Sequence, residues 1–293
     1  MSKLTDLSNA LRDTVAHAEK GVLPIHQAAN GVTTGIVFDE HHIVTTARAI
    51  EPDAPLEVGL AKERVPATFV GADPASDLAV LRVERALTPL SHADDAELGP
   101  GHLVVAVSHG SRGTRARLGI VSRVGGSWHL PGGLRLARYF ETDILPTPEL
   151  TGSALVDASG ALVGINAVGP GRGSLVTLPV AALASVVQAI AQHGRVRRAK
   201  LGVALQRVEL PAKAAARLGA RHGLIVLGVA EGGPAEQAGV LVGDILLAVG
   251  GAKVERVEEL QALLDESRID AETSVELHRA GAEATLQLRP VAR

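Results

Sequence analysis

Three short segments gather the side chains able to do chemistry. His42-Ile43-Val44-Thr45-Thr46-Ala47-Arg48-Ala49-Ile50 carries a guanidinium near its end. Asp73-Pro74-Ala75-Ser76-Asp77-Leu78-Ala79-Val80-Leu81-Arg82-Val83 sets carboxylates ahead of an apolar run, and Pro146-Thr147-Pro148-Glu149-Leu150-Thr151-Gly152-Ser153 places a hydroxyl between an acid and a glycine. Such a hydroxyl becomes a nucleophile only when a neighbouring base takes its proton. The chain has eleven histidines, including adjacent His41 and His42. His26, His109 and His129 offer nitrogen for a metal, but no HExxH or short-spaced ligand pair accompanies them, so ordinary polar roles are expected, with no metal and no cofactor.

In their residues and intervals the segments resemble the HtrA/DegP-type serine proteases. Thr142-Asp143, Pro148, Gly152, Leu155-Val156 and Gly164-Ile165-Asn166 fall in register with the family's nucleophile segment, which puts Thr151 where the family has its serine. The strand that ends in the family's base histidine aligns with His42–Ile50 and puts Arg48 at the base position. The family's DxxxDLAVL segment matches Asp73–Leu81 and retains the acid as Asp77. The order base, acid, nucleophile is that of chymotrypsin-like enzymes. The positions lie 29 and then 74 residues apart.

Side-chain chemistry says what these substitutions do. Guanidinium is a donor only and has no free lone pair near neutral pH, so Arg48 cannot serve as a general base there. Thr151 is internal and β-branched, which restricts its χ1. Glu149 stands where the family has the glycine whose N–H helps form the oxyanion hole, and losing one such donor costs ~3 kcal/mol. His42 begins the strand that Arg48 ends, too far off to replace the base. The resemblance with these losses implies no enzyme: a pseudoprotease whose PDZ domain and vestigial cleft bind peptides as a scaffold or adaptor. The alternative is a serine-type endopeptidase with a non-standard base or a threonine nucleophile. An Arg48 to Asp77 ion pair is expected in place of the lost base–acid contact.

Residues from Lys200 to Pro290 resemble a circularly permuted bacterial PDZ domain, most specifically at Gly233-Pro234-Ala235-Glu236-Gln237-Ala238-Gly239-Val240-Leu241-Val242-Gly243-Asp244-Ile245. Lys200-Leu201-Gly202-Val203 is similar to the family's carboxylate-binding loop, whose N–H groups capture a peptide terminus while the next strand pairs with its backbone. Leu201, Gly202 and Val203 are thus candidate peptide contacts. A helix expected near Val257 to Asp265 supplies Leu260 and Leu264 as apolar contacts, or equally as core. Lys200 departs from the family's apolar residue at that position.

These sites need scaffolds. Short runs between Val22 and Val187, among them Thr34 to Phe38, His42 to Thr46, Val65 to Val70, Ala79 to Val83, Leu103 to Val107, Arg117 to Val124, Leu134 to Thr142 and Ala161 to Val168, predict a mostly β protein. With the resemblance, the expectation is a chymotrypsin-like double β-barrel closed by a helix near Val180 to Gln192, followed by a smaller α/β PDZ domain. The expected domains are an N-terminal helix (1–20), a trypsin-like domain (21–192), a linker (193–199) and the PDZ domain (200–293). Leu4, Leu7, Leu11 and Val15 recur at helical spacing, with Ser2 or Thr5 as caps and the home barrel as the expected packing partner.

Composition bounds the partners. With 293 residues, 46% hydrophobic, the chain can fill two cores, and aromatics at 2% leave that filling to aliphatic residues. A net charge of -3 argues against a nucleic-acid partner. The first twenty residues carry no secretory h-region or membrane span, from which a cytoplasmic location is expected. Peptide or protein C-termini are the expected partners, with a homo-oligomer, a trimer by family resemblance.

Overall fold

The structure, a computed structural model, describes residues 3–28, 31–61, 63–130, 134–168 and 175–293. Ser2 lies outside them. The chain divides into two compact units, residues 1–128 with 136–196, and residues 129–135 with 197–293.

The first unit holds two barrels. Strands β1 (Val22–Gln27), β2 (Gly31–Val37), β3 (His42–Thr46), β4 (Leu56–Leu60), β5 (Glu63–Asp73) and β6 (Leu78–Arg82) close in the order β1-β2-β3-β6-β5-β4. Their inward residues, among them Ile25, Ile43, Val58, Ala79 and Leu81, form an aliphatic core. The second barrel joins β7 (Leu103–Gly110) and β8 (Gly113–Gly125) to the strands Tyr139–Thr142, Leu175–Pro179, Leu162–Val168 and Ala154–Asp157. Phe140, wholly buried, packs there against Val104, Val121, Leu155 and other aliphatics. Closure pairs every strand on both sides and leaves no sheet edge.

The runs expected to be strands are strands, except that Leu134 to Thr142 breaks into two, Arg135–Leu136 and Tyr139–Thr142. β1 escapes the sequence pattern because Pro24 interrupts it, and proline has no N–H to donate to a ladder. Here Pro24 stands opposite Thr34 in a barrel strand.

The closing helix α2 (Val180–His193) buries Val180, Leu183, Val186, Val187 and Ile190 at helical spacing. It stops at Gly194, which takes φ 72° and donates its N–H to the Ile190 carbonyl at 2.7 Å. That end lies so close to β5 that a Cβ at Gly71 would collide with the Gly194 carbonyl, so only glycine lets the helix dock on the first barrel. The N-terminal helix α1 (Lys3–Ala18) departs from expectation. Its last turns are anchored by buried Ala18 and by the Thr14 hydroxyl, which bonds the Ala158 carbonyl at 2.9 Å. Its first turns leave Leu4 and Leu7 76% and 44% exposed, so only the C-terminal half of the stripe packs on its own unit.

Beneath Thr151 runs a buried polar chain. The Ser153 hydroxyl donates to the Leu150 carbonyl at 2.6 Å and accepts from Asn166 Nδ2 at 2.9 Å, while Thr177 Oγ1 donates to Asn166 Oδ1 at 2.7 Å. All three side chains are fully enclosed. Their mutual satisfaction is what makes their burial tolerable.

In the second unit the strands Val203–Glu209, His222–Val229, Ile245–Val249, Thr273–Arg279 and Ala282–Leu288 lie in that order in one sheet. Helix Val257–Leu263 begins at a capping box in which Glu259 bonds back to the Arg256 N–H. Val203–Glu209 is an edge strand, with Ala204, Gln206, Arg207 and Glu209 exposed. Asp244 is the unit's buried charge, its side chain 2% exposed. Arg279 Nε and Nη2 meet its two oxygens at 2.7 Å each, and Nη2 also reaches the Gly239 carbonyl.

Two stability predictions follow from these buried groups. Asn166→Leu strands the Thr177 hydroxyl and should cost about 2–3 kcal/mol, read from denaturant unfolding of the full chain. An undiminished stability would show that water satisfies the site. The Asp244 carboxyl is held below its usual range by the Arg279 hydrogen bonds, which outweigh burial. A depressed folded pKa means its contribution is complete above the unfolded value of about 3.9 and disappears as pH falls through the lower folded one. Asp244→Asn should therefore cost about 2–4 kcal/mol at pH 7, with the gap from wild type closing below about pH 4. A gap constant with pH would mean that charge is not what matters.

Candidate functional site

Antiparallel pairing of β3 with β6 sets Thr46 opposite Leu78. The residue two beyond the end of β3 therefore meets the residue just ahead of β6. Arg48 sits in the one-turn 3-10 helix Ala47–Ala49, and the Ala47 N–H is tied to the Asp77 carbonyl at 2.9 Å. Asp77 adopts φ 57°, a left-handed conformation that aspartate tolerates better than most residues. Its Oδ2 receives Arg48 Nε at 2.6 Å, and its Oδ1 receives the Arg48 main-chain N–H at 3.1 Å. The expected ion pair is thus present, with Arg48 66% exposed and Asp77 more sheltered.

Thr151 comes from the second barrel. It caps the 3-10 turn Pro148–Leu150 and precedes Gly152, whose φ of 83° and N–H bond to the Asn166 carbonyl at 2.8 Å fix the bend. A Cβ on Gly152 would lie 2.7 Å from Thr46 Cγ2, so this glycine lets the two barrels meet closely at the end of β3. Arg48 and Thr151 consequently line one pocket of about 460 Å³, with Glu149, His109, Arg115 and Thr33.

The turn's N–H groups face its own carbonyls. Leu150 donates to Thr147 at 3.0 Å and Thr151 to Pro148 at 3.3 Å. The Glu149 carboxyl is held below its usual range, first by its own backbone N–H and also by Arg115, 3.5 Å away. The Leu150 and Thr151 N–H groups are thus engaged within the turn itself.

Sequence reasoning missed His109 and Arg115 as pocket residues, because their place depends on the β7–β8 hairpin lying across the barrel seam. The signal was faint: a histidine closing an apolar strand. His109 Nε2 contacts the Val22 carbonyl at 2.8 Å, and its Nδ1 lies 3.4 Å from the Thr114 hydroxyl. His42 is bound by Asp39 at 2.9 Å at the far end of β3 and does not line the pocket. His26 lies in a neighbouring cavity with His109, Glu19 and Arg64, its pKa lowered mainly by burial. Among the described residues no group of three or more His, Cys, Asp or Glu is arranged to hold a metal.

A second site lies in the other unit. A groove of about 590 Å³ runs between Lys200–Leu205 and helix Val257–Leu263, with Leu260 and Leu264 lining its wall while also belonging to the core. Gly202 takes φ 80°. The Leu201 carbonyl accepts from the Ala235 N–H at 2.9 Å and the Gly202 carbonyl from the Ala230 N–H at 2.8 Å. In a planar trans peptide the C=O and the following N–H point opposite ways. With both carbonyls tied inward, the N–H groups of Gly202 and Val203 turn away from those partners.

Comparison with known proteins places both units. A model of the trypsin-like peptidase domain matches residues 33–165 and one of the PDZ domain matches residues 225–279. A probable periplasmic serine endoprotease, DegP-like, from Marinomonas is 30% identical over 88% of this chain and 55% of its own length. The periplasmic serine endoprotease DegP of Salmonella typhimurium is 26% identical over 87% of this chain and 56% of its own, and the chloroplastic protease Do-like 1 of Arabidopsis thaliana 29% over 92% and 66%. The chain spans just over half to two thirds of these relatives. Among solved structures, the HtrA-type protease AlgW with a decapeptide superposes with TM-score 0.77 at 23% identity, over 96% of this chain and 98% of that one. A serine endoprotease from Yersinia pestis superposes at 0.76 and 25% identity, over 96% and 97%.

Two expectations are corrected by these relatives. The absence of enzyme activity, inferred from Arg48, Glu149 and Thr151, runs against relatives named as serine endoproteases. A cytoplasmic location, inferred from the first twenty residues, runs against the bacterial relatives, named as periplasmic. Side-chain types at three positions and the composition of one segment are narrower grounds than likeness over most of the chain. With a trypsin-like double barrel, a PDZ unit and these relatives, the chain belongs to the HtrA-type serine protease family.

Proposed function

We propose that this HtrA-type chain is a peptide reader of the serine-endopeptidase class. Its PDZ unit captures extended peptides by their C-termini, and its trypsin-like unit cleaves slowly, with Thr151 as the nucleophile. The observation that supports capture most directly is the Lys200–Val203 loop, whose carbonyls are anchored inward and whose N–H groups are thereby presented at the mouth of an apolar groove. A terminal carboxylate meets those donors, the peptide backbone extends the edge strand Val203–Glu209, and alternate side chains enter the groove beside Leu260 and Leu264.

For cleavage we assign the base to His109, the histidine that lines the Thr151 pocket. In the proposed step the His109 ring, whose nitrogens rest against Val22 and Thr114, turns into the pocket, and Nδ1 takes the Thr151 hydroxyl proton as Oγ1 attacks the scissile carbonyl. The same proton then goes to the departing amine, and water hydrolyses the acyl ester. The N–H of Thr151 must leave Pro148 before it can stabilise the oxyanion, so the 148–151 turn has to open. Without a directly bonded base, turnover should fall on the order of 10⁴ to 10⁶ below that of an intact triad.

C-terminal peptides should bind the full chain with Kd in the micromolar range, about 8 kcal/mol, and Gly202→Ala should weaken them about tenfold or more by straining the loop. Equal affinity for a peptide and its C-terminal amide would remove the carboxylate-capture role. Casein or a fluorogenic peptide, incubated for long times between pH 5 and 9, should be cut slowly by wild type and not by Thr151→Ala or His109→Ala. Cleavage that survives Thr151→Ala, or no cleavage by wild type at all, would refute the assignment of Thr151.

A further inference from the structure

The Thr151 pocket contains a feature for which peptide hydrolysis has no use. Two guanidinium groups line it, one from each barrel: Arg48 follows β3 and Arg115 lies on β8. Arg48 is held from behind, because both Asp77 oxygens are engaged, one by its Nε and one by its main-chain N–H. That clamp fixes the plane of the fork. The Nη donors of the same group stay at its outer edge, and two thirds of the side chain is open to solvent. Arg115 has a looser partner, Glu149 at 3.5 Å, which is at the long end for an ion pair and also bonded to its own backbone N–H.

We propose that the pocket is an anion subsite in which Arg48 and Arg115 receive a carboxylate of a peptide lying in the cleft. The inference rests on the reading that this cleft holds peptide, but it uses neither the hydrolytic step nor the PDZ groove. Arginine suits the role because a planar fork offers a carboxylate two parallel hydrogen bonds, while its charge persists at any physiological pH. An incoming carboxylate exchanges for Glu149 at Arg115, a 3.5 Å contact given up for a close one. Arg48 needs no rearrangement, since Asp77 has already paid the ordering of its side chain. The arrangement turns the position of a proton acceptor into an anchor for acidic substrate. Such a carboxylate comes either from an Asp or Glu side chain or from a chain end, and both present the same two oxygens.

The test uses the full chain and fluorescein-labelled octapeptides in three forms: amidated with a central glutamate, amidated with glutamine in its place, and the glutamine peptide with a free C-terminus. Amidation keeps the PDZ loop out of the measurement. Anisotropy at low salt should show the glutamate peptide binding about tenfold tighter than the glutamine one, the advantage expected of a charge-assisted pair. That preference should fall below about twofold in Arg48→Ala and in Arg115→Ala, each checked for unchanged melting. If instead only the free C-terminus confers an advantage, and Arg48→Ala removes it, the subsite takes a chain end. A free-acid advantage removed by Gly202→Ala and untouched by Arg48→Ala belongs to the PDZ loop, and where it appears without any glutamate preference it overturns the subsite. So does a glutamate preference that survives both arginine substitutions, or no preference in wild type. Failure here leaves terminal-carboxylate capture standing, because that is read from the free-acid advantage and its loss in Gly202→Ala, not from the glutamate preference.

Discussion

The antiparallel register between β3 and β6 is the constraint on which the first site depends. It brings together residues 29 positions apart in the chain, so that Arg48 has a carboxylate to lie against whatever else surrounds it. The ladder is buried on both faces, Ile43, Val44, Leu78, Ala79, Val80 and Leu81 being enclosed, and a one-residue slip would swap the two faces and misfit the packing on each side. Register is therefore paid for by the core, and the Arg48–Asp77 geometry follows from it. The contact of Gly152 with Thr46 does the same across the barrels. A bare backbone at Gly152 admits the threonine methyl, and Thr151 is carried to the seam as a result.

Much of this was legible in the sequence. Alternating β-branched runs located most of the strands, and the apolar spacing from Val180 onward located the closing helix. The Arg48–Asp77 pair was legible because two complementary charges were assigned to neighbouring positions and a carboxylate in a cleft is costly to leave unpaired. Other features were not legible, for identifiable reasons. Arg115 and His109 reach the pocket only through the placement of the β7–β8 hairpin, which no local pattern encodes. Ser153, Asn166 and Thr177 look like ordinary polar residues until three strands bring them together. The exposure of Leu4 and Leu7 was obscured because a helical stripe specifies a face and says nothing about how much of the helix has a surface beneath it.

The two sites use backbone N–H groups in opposite ways. At residues 148–151 the donors turn back on their own carbonyls, and the acid at 149 bonds its own amide, so the turn is satisfied without a ligand. At 201–203 the carbonyls are satisfied by neighbouring segments and the donors are directed elsewhere. The difference lies in what surrounds each segment. A 3-10 turn closes bonds within itself, whereas the PDZ loop is braced by the chain at Ala230 and Ala235.

The barrels are closed, but the PDZ sheet ends in Val203–Glu209, and a strand able to admit a peptide is equally able to admit an identical strand from another molecule. Pairing of two such strands about Gln206 in antiparallel sense would set Arg207 against Leu205 and Glu209 against Val203. Those two pairs would each mate a charge with an aliphatic side chain, twice over by symmetry, while Val208 would meet Ala204 and Gln206 its own copy. The binding edge thereby discriminates against its own kind: it stays open to short foreign chains while resisting the runaway strand addition that seeds aggregates at high local concentration.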